Sequence, residues 1–207
     1  MNVLLFGRPG AGKGIQSRML AEDFRLARLS TGDLFRAAVA GGRVELDRYV
    51  SGARLADDDV VVELLLPYLA ALGPHDGFVL EGFPRRPSQV AILDRILGDR
   101  TITRVIYLEV SVAVIMNRLT GRTACTACGR TFGPDDRGQA GACPDCGVAL
   151  TRRLDDDAAK LAQRLDEFEA QTRAVLRIYA DRGLLRSVDG EGSVRDVFAR
   201  VREACAI

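Results

Sequence analysis

Short apolar runs recur along the chain at Val3-Leu4-Leu5-Phe6, Phe78-Val79-Leu80 and Val105-Ile106-Tyr107-Leu108, with weaker ones at Ala27-Arg28-Leu29 and Leu184-Leu185-Arg186-Ser187-Val188. Runs this short, with no polar alternation, fit strands that are covered on both faces. Longer stretches with helical spacing separate them. Strands alternating with helices predict an open α/β architecture, a parallel sheet flanked by helices, with ligands at the carboxyl ends of the strands.

The helical stretches can be read one by one. Ile15, Met19 and Leu20 predict an apolar face on a helix that ends near Phe24. A second helix is expected from Thr31 to Ala40, capped by Ser30 or Thr31 and stopped by Gly41-Gly42, and a short one from Val44 to Val50. Asp57-Asp58-Asp59 supply a cap and dipole-favourable charge for a helix from Val60, which Pro67 should kink. Leu161, Leu165, Phe168, Thr172, Val175 and Tyr179 share one face of a helix between Asp155 and Arg182, with Gly183 as its stop. Residues 123–151 break the pattern. They are rich in Gly, Cys and turn residues and too poor in periodic apolar positions to build a core.

Length and charge narrow the picture. A chain of 207 residues buries one good-sized core, so a second folding unit must be an insertion. Lys and Arg total 29 against 28 Asp and Glu, a net charge of +1, so no global field points to nucleic acid or an anionic membrane and any anion site must be local. Val3 to Phe6 is too short for a signal-peptide core, and no stretch approaches the roughly 18 apolar residues of a membrane span. The expectation is a cytoplasmic protein, and nothing demands more than a monomer.

The local anion site is Gly7-Arg8-Pro9-Gly10-Ala11-Gly12-Lys13, which directly follows an apolar strand and directly precedes a helix. Glycines let successive backbone N–H groups turn toward one anion, the helix N-terminus adds partial positive charge, and Lys13 can bridge the outer phosphates of a nucleoside triphosphate. The general phosphate-loop pattern continues with a Ser or Thr hydroxyl that reaches magnesium; Gly14 and Ile15 stand here instead.

The cysteines form a second constellation. Cys125-Thr126-Ala127-Cys128 and Cys143-Pro144-Asp145-Cys146 are separated by fourteen residues, and each pair is followed by glycine. This spacing is close to that of zinc ribbons, in which four thiolates close tetrahedrally on Zn²⁺. Four protein ligands leave no open coordination position, so the expected metal is structural and holds together a segment that has no core. Iron or cobalt in the same cage, or two redox pairs, are the alternatives. Cys205, near an apolar C-terminus, reads as a small buried hydrophobe. His75, in Gly73-Pro74-His75-Asp76-Gly77, reads as a loop residue.

The form G-x-P-G-x-G-K-G, followed by Gln16, resembles adenylate kinases, and the likeness extends through nearly the whole chain. The resemblance implies a P-loop nucleoside monophosphate kinase fold that transfers phosphate reversibly from magnesium-ATP to AMP, giving two ADP. It places ATP on Gly10, Ala11, Gly12, Lys13, Gly14 and Ile15, with Arg118, Arg122 and Gly190. Ser30-Thr31-Gly32-Asp33-Leu34-Phe35-Arg36 looks like the family's S-T-G-D-x-x-R, which implies Thr31 at the AMP base and Arg36 on its phosphate. Glu81-Gly82-Phe83-Pro84-Arg85 with Gln89 resembles D-G-F-P-R-x-x-x-Q, which implies Arg85 on the AMP phosphate and Gln89 at the adenine. Arg118-Leu119-Thr120-Gly121-Arg122, Arg153-Leu154-Asp155-Asp156 and Arg164 match the arginine motifs of the lid. Lys13, Glu81, Arg85, Arg122, Arg153 and Arg164 are then the catalytic set.

The implied division is a core of residues 1–29, 60–121 and 160–207, a helical AMP-binding flap of 30–59 and a lid of 122–159. Some members of the family carry cysteine-bound zinc in that lid. Glu81 departs from the family's Asp, whose carboxylate helps order magnesium and its waters. Arg86 stands where Thr is usual, to add phosphate attraction or to face solvent. Thr123 stands where a second Arg is common. Arg43, Arg95, Arg100 and Arg173 fall in no motif and read as solvated. Thr31 and Gln89 favour adenine, while kinases of other nucleoside monophosphates and a weakly catalytic nucleotide-binding protein are the alternatives.

Overall fold

The computed structural model describes residues 1–51, 54–133, 141–152 and 158–206. The chain begins with strand β1 (Asn2–Gly7), the phosphate loop and helix α1 (Lys13–Phe24). Strand β2 (Ala27–Ser30) leads into α2 (Thr31–Ala40), where the Ser30 hydroxyl accepts from the Asp33 N–H as the expected cap. A 3₁₀ turn (Val44–Leu46), α3 (Asp47–Val50) and α4 (Asp58–Ala70) complete the segment before β3 (Phe78–Glu81). Pro67 lies inside α4, which ends three residues later. Next come α5 (Pro87–Leu97), β4 (Arg104–Glu109) and α6 (Val112–Leu119). The cysteine-rich stretch forms β5 (Thr123–Cys125), β6 (Thr131–Phe132) and β7 (Leu150–Arg152). Helix α7 (Ala158–Glu167), a π-helical segment (Phe168–Thr172) and α8 (Arg173–Asp181) follow, then β8 (Leu185–Asp189) and α9 (Val194–Cys205).

Among the described residues, all five predicted strands join one parallel sheet in the order β2-β3-β1-β4-β8. The alternation of side chains explains why the runs of the three central strands, β3, β1 and β4, are nearly all apolar, while the edge strands β2 and β8 keep polar residues. Val3 and Leu5 of β1, Val79 of β3 and Ile106 and Leu108 of β4 face a layer with Leu20, Ile115, Val197 and Val201. Leu4, Phe6, Phe78, Leu80, Val105 and Tyr107 face the opposite layer with Leu65, Leu93, Val175 and Tyr179. Both faces are covered, so both sets of alternating positions must be apolar. Each such buried aliphatic side chain contributes about 1.5–3 kcal/mol. The chain runs from β1 to β2 and β3 on one side and then from β3 past β1 to β4 on the other, so the strand order reverses beside β1, and the phosphate loop sits at its carboxyl end.

Three expectations need correction. The buried face of α1 is Gln16, Ser17 and Leu20; Ile15 and Met19 are half-buried and line the cleft above the sheet. The apolar spacing misled because this helix has two partners, the sheet on one side and an open cleft on the other. The helix between Asp155 and Arg182 begins at Ala158 within the described residues and widens into the π turn. Its predicted face is nevertheless buried at Leu161, Phe168, Thr172, Val175 and Tyr179. Arg100 is not solvated: its guanidinium donates to the carbonyls of Leu72, Gly73 and Asp76 and staples that loop to the end of α5.

Two smaller expectations hold. Cys205 is buried among apolar side chains and His75 is an exposed loop residue. Among the described residues no helix is long and apolar enough to cross a membrane.

Candidate active site and metal centre

The carboxyl ends of the strands open into one cleft of about 1370 Å³. A single drug-sized ligand occupies roughly 300–1,000 Å³, so the volume suits more than one small molecule. The loop Gly7–Gly14 forms its floor. Gly12 caps α1 at φ 95°, a left-handed conformation, and no side chain caps the helix, so the N–H groups of its first turn are left for an anion. Lys13 Nζ donates to the Gly7 and Arg8 carbonyls at 2.7 and 3.0 Å, which folds it back over the loop. Desolvation lowers its pKa to about 7; Glu81 opposes the shift, while Arg85, Arg164 and Arg122 add to it.

The cleft brings together every candidate nucleotide residue of the described chain: Gly10 to Ile15, Thr31, Arg36, Glu81, Gly82, Arg85, Gln89, Arg118, Arg122, Arg164 and Gly190. Arg153, with Asp155 and Asp156, lies outside the described residues. So many guanidinium groups around Lys13 repel one another, and an anion with several oxygens relieves that repulsion. Burial depresses the pKa of Arg85, whose Nε donates to the Gly82 carbonyl at 2.8 Å. Gly82 has φ 88°, and a Cβ there would stand 2.2 Å from the Thr31 hydroxyl, so this turn brings Thr31 against the end of β3 only if the residue is glycine.

Arg118 bridges the Ala11 and Gly190 carbonyls at 3.3 and 2.8 Å, tying the phosphate loop to the loop after β8. Gln89 is held at both ends of its amide. Its oxygen accepts from the N–H groups of Arg85 and Arg86, and its nitrogen donates to Asp58 at 2.7 Å. Arg86 neither adds to the phosphate site nor lies idle in solvent; it donates to Asp58 and to the Ala56 carbonyl.

Four functional neighbours escaped the sequence reading. Arg28 pairs with Glu81 and Asp33, and Ser17 contacts both Arg28 and Glu81. A guanidinium in the middle of an apolar strand, as in Ala27-Arg28-Leu29, is the signal that would have found the first, because a charge there must have a partner. Arg8 donates to Glu169 at 2.6 and 3.0 Å, anchoring the phosphate loop to the π turn. The fourth is Asp58, which holds Gln89.

Above the cleft, β6-β5-β7 form an antiparallel sheet whose core is Cys125, Phe132 and Cys143 with Leu150 packed against them. The ligand atoms of Cys125, Cys128, Cys143 and Cys146 all lie within 4.8 Å of one another. Contacts of 3.3, 3.7 and 3.4 Å between their sulfurs are far too long for disulfides and near the separation of about 3.8 Å that tetrahedral Zn–S bonds of about 2.3 Å require. The four cysteines could thus hold a metal ion such as zinc. The Gly129 and Gly147 N–H groups close the two knuckles onto the Cys125 and Cys143 carbonyls. The Cys128 N–H draws the Cys125 pKa down to about 6, while desolvation raises that of Cys128 and the neighbouring sulfurs raise that of Cys146, so the crowded thiols do not all ionise unaided and a cation would offset their repulsion. Gly129–Gly133, Pro144 and Asp145 of this unit also line the cleft.

A family model described as adenylate kinase matches residues 5–184. This chain belongs to the adenylate kinase family. It is 37% identical to the adenylate kinase of Geobacillus sp. (strain WCH70), with 98% of this chain and 97% of that protein covered. Against that of Carboxydothermus hydrogenoformans the identity is 37%, with 99% of each covered, and against that of Trichlorobacter lovleyi 39%, again with 99% of each. The family makes the chain a phosphotransferase.

Proposed function

We propose that the chain is an adenylate kinase that transfers the terminal phosphoryl group of ATP to AMP, reversibly and with magnesium, to give two ADP. The observation that carries this reading is the single cleft in which the phosphate loop and the arginines of two nucleotide motifs converge on Lys13. Transfer between phosphate oxygens needs little proton removal, so alignment and charge stabilisation supply most of the acceleration.

In this reading the N–H groups at the start of α1 and Lys13 hold the ATP phosphates, and Arg118 and Gly190 border the ATP base. Arg36 and Arg85 clamp the AMP phosphate, with Thr31 and Gln89 at its base. Arg122 and Arg164, joined by Arg153, neutralise the charge that spreads over the transferring group. Magnesium takes oxygen ligands and relies on substrate phosphates and one or two carboxylates. Glu81 meets that requirement: it lines the cleft, it lies beside Gly14, and its Oε2 takes no hydrogen bond among the described residues. When bound, the ion would neutralise charge on the phosphates. Residues 30–59 act as the AMP flap and 122–159 as the lid, with a structural Zn²⁺ on the four cysteines.

A panel of nucleoside monophosphates offered with ATP tests the assignment. AMP should be the preferred acceptor, and Arg36→Ala should raise the KM for AMP at least tenfold while leaving that for ATP within about threefold. Equal or better transfer to another monophosphate would overturn it.

A further inference from the structure

Glu81 is one methylene longer than the residue its motif leads one to expect, and a longer carboxylate has an extra torsion to fix. The structure fixes it. Glu81 ends β3, and its register partner on β2 is Ser30, two residues beyond Arg28. Arg28 Nη2 stands 2.6 Å from Glu81 Oε1 and 2.8 Å from Asp33 Oδ2, and its Nε donates to the Ser17 hydroxyl at 2.8 Å. Since that hydroxyl accepts from Arg28, its own proton is left to donate, and of its two acceptors Glu81 Oε1 at 3.1 Å is nearer than the Gly14 carbonyl at 3.3 Å. Two donors from two elements therefore converge on one oxygen of a carboxylate whose side chain is 7% exposed. Among the described residues nothing bonds to the other oxygen. A Cβ placed on Gly14 would lie 3.7 Å from Arg28 Nη2 and 3.8 Å from Glu81 Oε1, which puts the pair against the phosphate loop.

We propose that Arg28, seconded by Ser17, is a positioning residue for the metal of the reaction: it pins Oε1 of Glu81 and leaves Oε2 as the single oxygen presented to the metal and its waters. A pair serving stability alone gains nothing from leaving one carboxylate oxygen unused beside the phosphate loop. Pinning offsets the extra methylene because a displacement of about 1 Å in such a group can cost about a hundredfold in rate. Through Asp33, which also pairs with Arg36, the same guanidinium joins the metal carboxylate to the AMP side.

The inference rests on the magnesium-dependent reading above, and its test separates the two. Mn²⁺ binding to the protein with ATP, followed by water-proton relaxation, is compared for wild type, Arg28→Gln, Arg28→Lys and Ser17→Ala. Arg28→Gln should weaken the metal about tenfold, raise the magnesium concentration for half-maximal turnover by a similar factor, and leave metal-free ATP binding within twofold. Arg28→Lys should recover part of the loss, because one ammonium still reaches Glu81. A folded Arg28→Gln protein with wild-type Mn²⁺ affinity, or with metal-free ATP binding equally weakened, would overturn the proposal. Should Arg28→Gln fail to fold, Ser17→Ala decides: about threefold weaker Mn²⁺ binding is expected, and unchanged binding sinks it. Wild-type protein without AMP-dependent turnover would instead remove the kinase reading, while the Mn²⁺ measurement, which needs only ATP, still decides the role of Arg28.

Discussion

Lys13 sits among arginines in a desolvated floor, and this lowers its pKa from 10.5 to about 7. The lowered value has a definite sign. Between about pH 7 and 10.5 the unfolded chain keeps this proton and the folded chain does not, so the contribution of Lys13 to stability rises with pH across that window. Phosphate oxygens reverse the balance by favouring the ammonium. ATP binding at pH 8 should therefore take up close to one proton per site, measurable by calorimetry in buffers of different ionisation enthalpy, and Lys13→Gln should abolish it. Proton release, or none, would show that Lys13 stays charged in the free protein.

Motif residues such as Gly12, Lys13 and Arg85 were legible because their spacing is local. Arg28, Arg86 and Arg100 were not, because Glu81, Asp58 and the Asp76 carbonyl, which they respectively hold, are 24 to 53 residues away in the chain.

Elements divide along the same line. The central strands β1, β3 and β4 were readable because burial on both faces leaves no room for polar alternation, the edge strands β2 and β8 gave weaker runs because they are partly exposed, and the cap at Ser30 was readable because hydroxyls compete well for orphan N–H groups. The orientation of α1 was hidden, since Ile15 and Met19 owe their position to a cleft that forms only when distant segments assemble. The π turn was hidden as well: Phe168 keeps helical spacing, yet the turn widens where Glu169 meets Arg8 and Thr172 donates to the Arg85 carbonyl.

The cysteine unit was visible for the opposite reason, a lack of apolar periodicity. Among the described residues this unit has three buried side chains and one more packed against them, a core too small to hold β5 to β7 together by itself, and a structural zinc is worth on the order of 10 kcal/mol in small domains. Mass spectrometry under native conditions should find one zinc per chain. Chelation should lower the melting temperature and speed amide exchange across 123–133 and 141–152 at least tenfold, with the parallel sheet still protected. A chain with no thiolate-bound ion would contradict this.

For the whole molecule, one sheet delivers the phosphate loop, the end of β3 and the loop after β8 to the same side, and the cysteine unit borders the cleft they form. That arrangement follows from strand order, which puts β1 between β3 and β4, where the order of the strands reverses. In the proposed reaction the site would have to discriminate against water, because charges that favour transfer to AMP would also favour hydrolysis of ATP; closure of arginine-bearing segments over the nucleotides would exclude water and complete the charge set together.

The most direct measurement is the fate of ATP with and without AMP, followed by phosphorus NMR in the presence of magnesium. Two ADP should appear for each AMP consumed, the reverse reaction should regenerate ATP and AMP from ADP, and ATP alone should be stable on the same timescale. ATP consumed at an AMP-independent rate with release of inorganic phosphate, or not consumed at all when AMP is present, would contradict the assignment.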